Sequence, residues 1–322
     1  MHALAPRDTR DGAPPCARRR RDSDGRYESH IARRGLHPSR RPTLIVSRLV
    51  EQITPALCRL GESPVWDPTT KTLCWIDIER PRVLRFDPAQ RRVDEREVAS
   101  VGALTIEADG RLVVFERDGV VRTEHGAESA RVAGVVGTRF NDAVVDRRGR
   151  VYCGEMPAPG RSGRLWRVEA GRDPIQIADP LMPNGAGFSP DGATFYFTDS
   201  LRRCIYAAAF DEETGAIGEP RVFARVSRAE GIPDGLAVDA DGGVWSARYD
   251  GAVVVRYEPT GSESQRVAVP TSRPTGIAFG GDGLRDLYIA TAQIEGESAS
   301  GALFRVTTSV AGLRVPCSRL FG

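Results

Sequence analysis

Pro233-Asp234-Gly235-Leu236-Ala237-Val238-Asp239-Ala240-Asp241-Gly242-Gly243-Val244-Trp245 holds an acidic residue and a Gly, a short apolar run, an Asp-Gly turn signal and a second apolar run. Apolar runs flanking Asp-Gly read as two antiparallel strands joined by a tight turn. The frame recurs. Asn184-Gly185-Ala186-Gly187-Phe188 leads through Asp191-Gly192 to Phe195-Tyr196-Phe197, and Asn141-Asp142-Ala143-Val144-Val145 leads through Gly149 to Val151-Tyr152. Thr275-Gly276-Ile277-Ala278-Phe279 and Gly102-Ala103-Leu104-Thr105-Ile106 do the same through Asp282-Gly283 and Asp109-Gly110. The leading residue of each copy (Gly102, Asn141, Asn184, Asp234, Thr275) stands eight positions before the turn Gly. A sixth copy opens at Glu62, with Thr70 in the place of the Gly. The intervals between leaders are 40, 39, 43, 50 and 41 residues. Short strands repeating at about forty residues mark a propeller. The sequence therefore predicts an all-β, six-bladed β-propeller.

Six blades need roughly 240 residues, which leaves an N-terminal segment of the 322-residue chain over. Residues 1–48 carry twelve Arg and five acids with no hydrophobic period, the character of a disordered, Arg-rich extension. The propeller is expected over 49–322, with Val50 to Leu60 supplying the strand that closes the ring against the last blade. That part holds 33 basic and 38 acidic residues. A mildly acidic domain gives no reason to expect a nucleic-acid partner. No run of eighteen apolar residues exists, so neither a membrane span nor a membrane partner is expected. The six Cys are scattered, without a CxxC pair or a nearby His at ligand spacing. That pattern fits buried free thiols, notably Cys74 and Cys153, in a cytoplasmic protein.

Equivalent positions in a cyclic repeat converge in space. The leaders precede the short strands expected nearest the axis, so their side chains should meet at one mouth of the central channel. Carboxylates crowded at an axis are costly unless a cation or hydrogen bonds compensate, and hard divalent cations favour such oxygens. Glu62, Asn184 and Asp234 are thus candidate metal ligands. The bland alternative is that each satisfies local backbone, as Asn and Asp do before strands. A Ser-His-Asp site is poorly supported. Ser63 and Ser200 lie near the expected mouth, but three of the four His fall in the N-terminal segment and the fourth, His125, in a hairpin. Asp109, Asp191, Asp241 and Asp282 read as turn residues. Trp66, Trp75, Trp166 and Trp245 read as core between blades. Asp199, at a strand end, could reach the pocket.

Leu60-Gly61-Glu62-Ser63-Pro64-Val65-Trp66-Asp67 resembles the opening signature of the SMP-30/gluconolactonase (regucalcin-like) family. Arg139-Phe140-Asn141-Asp142, Pro183-Asn184-Gly185, Thr198-Asp199-Ser200, Ile232-Pro233-Asp234-Gly235 and Gly301-Ala302-Leu303-Phe304-Arg305-Val306 resemble its later blocks, in order. The resemblance implies a six-bladed propeller with one divalent cation on its axis, calcium or zinc, with magnesium and manganese as further candidates. It implies Glu62, Asn184 and Asp234 as ligands, Asp234 as the catalytic residue, and Arg139 and Asn141 as substrate-binding residues. The implied activity is metal-dependent hydrolysis of a sugar lactone such as gluconolactone by a monomer or weak homodimer. The alternatives are a calcium-binding propeller without turnover, or a related hydrolase of aryl esters or organophosphates. Two departures stand out: Glu155 before Met156, read as an extra acid facing the pocket, and a short loop after Met156.

Overall fold

The computed structural model describes residues 44–45, 50–126 and 129–322. Six antiparallel sheets follow one another along the chain. Their innermost strands are Gly61–Asp67, Ala103–Ile106, Phe140–Val145, Pro183–Phe188, Ile232–Val238 and Pro274–Gly280. Each packs against its neighbour in the next blade, and the strand of blade six packs against that of blade one. The ring is a six-bladed propeller. Among the described residues the helical segments are two three-residue 3-10 turns, and no helix is long and apolar enough to cross a membrane, which says nothing of strands.

The turn frame holds with one shift. Gly110, Gly149, Gly192, Gly242 and Gly283 all adopt positive φ, but in blade one Lys71, not Thr70, takes the left-handed position. Of the four Asp read as turn residues, Asp109 and Asp191 accept backbone N–H groups two residues on. In blade five the turn is held by Asp239, which accepts from Asp241 N and Gly243 N, so Asp241 is not the capping acid.

Closure is made at Glu51–Gln52, which pairs antiparallel with Phe304–Thr307 and completes blade six. The closing strand is shorter than the expected Val50 to Leu60. Before it, Leu44–Ile45 pairs parallel with the outer strand of blade five, so the described fold reaches back into the segment read as an extension. The expectation for the rest of residues 1–48 lies outside the described residues.

Six apolar clusters fill the six seams between blades. The tryptophans belong to them: Trp66 stacks on Tyr288 at 5.8 Å across the seam between blades one and six, and Trp245 meets Phe279 edge-on. Cys74 and Cys153 are buried free thiols in the same seams; burial pushes the Cys74 thiol up to about 12. Burial of these side chains is the main favourable term for the ring.

Candidate metal centre

Pairing of the inner strand with its neighbour slips directly at the leader in five blades. Register shifts fall between Glu62 and Val65, Asn141 and Ala143, Pro183 and Ala186, Pro233 and Leu236, and Pro274 and Ile277. A bulge of this kind re-aims a side chain out of the ladder. Blade two has continuous pairing, and its leader, Gly102, brings no side chain. In blades one and three the bulge is made by a left-handed residue, Ser63 (φ 46) and Asp142 (φ 42).

The leaders converge. Glu62, Asn141, Asp234 and Thr275 are buried, and Asn184 is half-buried. Burial pushes the Glu62 carboxyl well above its usual range; Asp234 and Asp142 push it further, and Arg139 opposes them. Asp234 is raised in the same way by burial and by Asp142, against Arg139 and a hydrogen bond from Asn184. These side chains therefore share one low-dielectric space at the mouth of the axis. Arg139 donates to Asn141 Oδ1 at 2.7 Å and to the Phe140 carbonyl at 2.9 Å, while Asn141 Nδ2 donates to the Pro183 carbonyl at 2.9 Å. Asn184 Nδ2 donates to Ser200 Oγ at 3.3 Å, and Ser200 in turn donates to the Pro233 carbonyl at 2.8 Å. Thr275 is spent on the Gly61 carbonyl of the next blade.

Two oxygens at this mouth are left over. Asp234 Oδ1 and Asn184 Oδ1 are buried without a hydrogen-bond partner. An acceptor stranded in the interior costs about 1–3 kcal/mol, and these two belong to side chains that interact with each other, near a second buried carboxylate; such oxygens are of the kind a hard cation takes. Among the described residues no three His, Cys, Asp or Glu cluster with metal-ligating geometry; the candidate set is two carboxylates and a carboxamide. No backbone group donates to Asn184 Oδ1 or Asp234 Oδ1.

Asp142 is a member of the site that the repeat frame does not flag, because it follows a leader rather than being one. Its carboxylate accepts from Ala143 N at 2.8 Å and from Ser63 Oγ at 3.4 Å, and burial pushes it up to about 6. Together with Ser63 it lines the top of an axial cavity of about 180 Å³. The left-handed residue at the bulge is the structural signal, and it is invisible in the residue types alone.

Glu155 does not face the pocket. Its side chain is 0% exposed, and its oxygens accept from Arg161 (2.6 Å), Arg164 (2.7 Å) and Trp166 Nε1 (2.8 Å). Asp199 is likewise structural: it accepts from Leu181 N and Met182 N, which lead into the inner strand of blade four, and from Arg202. Asp77 holds Arg59 N and Leu60 N in the same way in blade one. The short loop after Met156 folds on itself through an Ala158–Arg161 bridge, and Met156 N bonds the Arg139 carbonyl. His125, the His among the described residues, is exposed beside Arg96. Ser63 and Ser200 have partners other than a His, so no serine-hydrolase arrangement forms among the described residues.

Known proteins resemble this chain over nearly all of the propeller. The family described as SMP-30/Gluconolactonase/LRE-like region matches residues 60–293. The pentonolactonase XacC of Haloferax volcanii is 40% identical over 279 residues, covering 82% of this chain and 96% of that protein. A 6-deoxy-6-sulfogluconolactonase of Pseudomonas putida is 34% identical, covering 80% and 94%. A solved structure described as a calcium-binding protein, regucalcin, from Agrobacterium tumefaciens superposes with a TM-score of 0.76 at 27% identity, covering 83% and 96%.

Proposed function

The chain belongs to the SMP-30/gluconolactonase/LRE-like family, and from that premise we propose that it hydrolyses a sugar lactone to the free aldonic acid, with a divalent cation at the mouth of the axis. The observation that carries the reading is the pair of stranded oxygens, Asp234 Oδ1 and Asn184 Oδ1, beside buried Glu62. Similarity to a pentonolactonase and a sulfogluconolactonase supports the substrate class, and similarity to a calcium-binding regucalcin supports the cation. Glu62, Asn184 through Oδ1, and the Asp234 carboxylate would hold it. When bound, such a cation supplies charge that keeps both carboxylates ionised, polarises a carbonyl and acidifies water.

The chain's own residues do the rest. Asp234 accepts a proton from the water that attacks the lactone carbonyl; the new C–O bond forms, the ring C–O bond breaks, and the proton passes to the departing ring oxygen. Arg139 and Asn141 hold substrate oxygens. Their mutual hydrogen bond at 2.7 Å fixes both before substrate arrives, which lowers the entropy cost of orientation. Asn184 is set by Ser200, itself tied to the strand that carries Asp234.

The test is acid release in a pH-stat across gluconolactone and pentonolactones, with and without chelator. Turnover is expected, with loss on chelation and recovery on adding calcium or zinc. Asp234→Ala should lower kcat/KM by on the order of 10²–10⁴, in protein shown folded by circular dichroism. Cation binding with no acid release from any lactone would leave a non-catalytic cation binder and end the lactonase reading.

A further inference from the structure

The mouth holds a second guanidinium that the catalytic account does not use. Arg117 and Arg139 face each other in an antiparallel backbone bridge between blades two and three. Hydrogen bonds from Asp118 N to the Thr138 carbonyl and from Phe140 N to the Glu116 carbonyl flank it. Residues directly opposite in an antiparallel pair project to the same face. Like charges so placed are unfavourable unless an anion sits between or beside them. Burial disfavours the charge on Arg139, Arg117 adds to this as a like charge, and Glu62 and Asp234 oppose it.

Among the described residues neither arginine has a carboxylate hydrogen-bond partner. Arg139 is held by two neutral acceptors, Asn141 Oδ1 and the Phe140 carbonyl. Arg117 is exposed, and its guanidinium makes no hydrogen bond or ion pair with the described residues. The acids beside it are occupied elsewhere. Asp118 accepts from Gly137 N at 2.7 Å, and Glu116 pairs with Arg122 at 3.0 Å. With a divalent cation set against Glu62 and Asp234, two guanidiniums at the rim leave the mouth an excess of positive charge that Asp142 alone does not cancel.

We propose that Arg117, paired with Arg139, forms an anion-recognising rim, and that the preferred substrate is a sugar lactone carrying an anionic group at the end away from its ring ester. This rests on the lactonase reading and deepens it. The shared chemistry is a planar or tetrahedral oxyanion (carboxylate, sulfonate or phosphate) held by forked N–H donors. Arg117 is a specificity-determining residue, and the cation site and Asp234 act on the ring ester regardless of it.

The experiment compares glucarolactone, which bears a free carboxylate, with neutral gluconolactone, in wild type and in Arg117→Gln and Arg117→Lys. Wild type is expected to favour the anionic lactone in kcat/KM, through KM, and to lose that preference as salt rises. In Arg117→Gln the ratio of the two kcat/KM values should fall about tenfold, and Arg117→Lys should recover part of it. An equal ratio in wild type and Arg117→Gln, with gluconolactone still hydrolysed, overturns the rim and leaves the lactonase reading intact. Should neither lactone be hydrolysed, the lactonase reading falls, and calorimetric titration of glucarate against wild type and Arg117→Gln decides the rim. Tighter binding by wild type supports it, and equal affinity or no binding overturns it.

Discussion

Asp234 and Glu155 are both buried acids near strand ends, and their surroundings give them opposite roles. Asp234 meets other carboxylates and keeps an oxygen free, whereas Glu155 meets two arginines and an indole. The residue types alone make both legible as acids of the pocket. Only the partners separate them, and those lie 6, 9 and 11 positions on in a loop and the next strand. Burial by itself would raise the Glu155 carboxyl, but the hydrogen bonds from Arg164, Arg161 and Trp166 outweigh it and hold the group below 4.5. A folded value below the unfolded one means stability that is complete above pH about 4.5 and drains away as the pH falls below it. Glu155→Gln should cost about 3 kcal/mol at neutral pH by leaving two guanidiniums short of charge. It should also flatten the acid limb of the stability profile. Urea midpoints from pH 3 to 7 read both effects; parallel profiles for wild type and variant would show that Glu155 is not the titrating group.

The strand-turn-strand unit was plain from periodicity because alternation, Asp-Gly turns and fixed spacing are local properties. The bulge was not, since it is a relation between two strands, and with it went Asp142, whose side chain enters the site only because its backbone turns left-handed (φ 42). In blades four and five the residue after the leader is a glycine for a different reason. A Cβ on Gly185 would lie 2.0 Å from Leu236 N, and one on Gly235 would lie 2.6 Å from the Thr275 carbonyl oxygen. Both obstacles are backbone of the neighbouring inner strand, which cannot swing aside as a side chain can. Gly185→Ala should therefore part blades four and five at the axis, with a cost of roughly 1–3 kcal/mol. Because Asn184 is next in the chain and Asp234 stands on the displaced strand, cation affinity should drop along with thermal stability. Calorimetry of calcium binding alongside thermal unfolding checks this. Unchanged values in both would mean that the inner strands have slack.

At the scale of the ring, six blades and their order were readable from the forty-residue interval, and so was closure by a strand near residue 50. What carried no period was residues 311–321, and the structure gives them a task. Ala240 N bonds the Ala311 carbonyl, Leu313 N the Val238 carbonyl and Gly312 N the Leu284 carbonyl, which ties the segment to blades five and six. Ser318 N then bonds the Ile106 carbonyl and Arg319 N the Gly149 carbonyl, in blades two and three. Ser318 Oγ and Phe321 N both donate to Glu107, whose carboxylate is buried. The segment is a strap across the turn-side end of the axis, and Leu313, Arg314, Val315 and Pro316 form part of the cavity lining there. A propeller whose ends meet where residues 51–60 run along blade six gains a second tie from it, between blades distant in sequence. Ending the chain after Leu313 would leave the buried Glu107 carboxylate without its Ser318 and Phe321 donors, a loss of about 3 kcal/mol. For a domain of this size that is a fall in Tm of roughly 6–10 °C. The proposed metal centre lies at the other end of the axis, so lactone turnover at 25 °C should persist in the shortened protein while its half-life at 50 °C falls. If Glu107 is the main cause, Glu107→Gln in the shortened chain, which removes the stranded charge, should restore part of the lost Tm. No restoration would place the lost contribution in the backbone bonds of Ser318 and Arg319 to blades two and three instead.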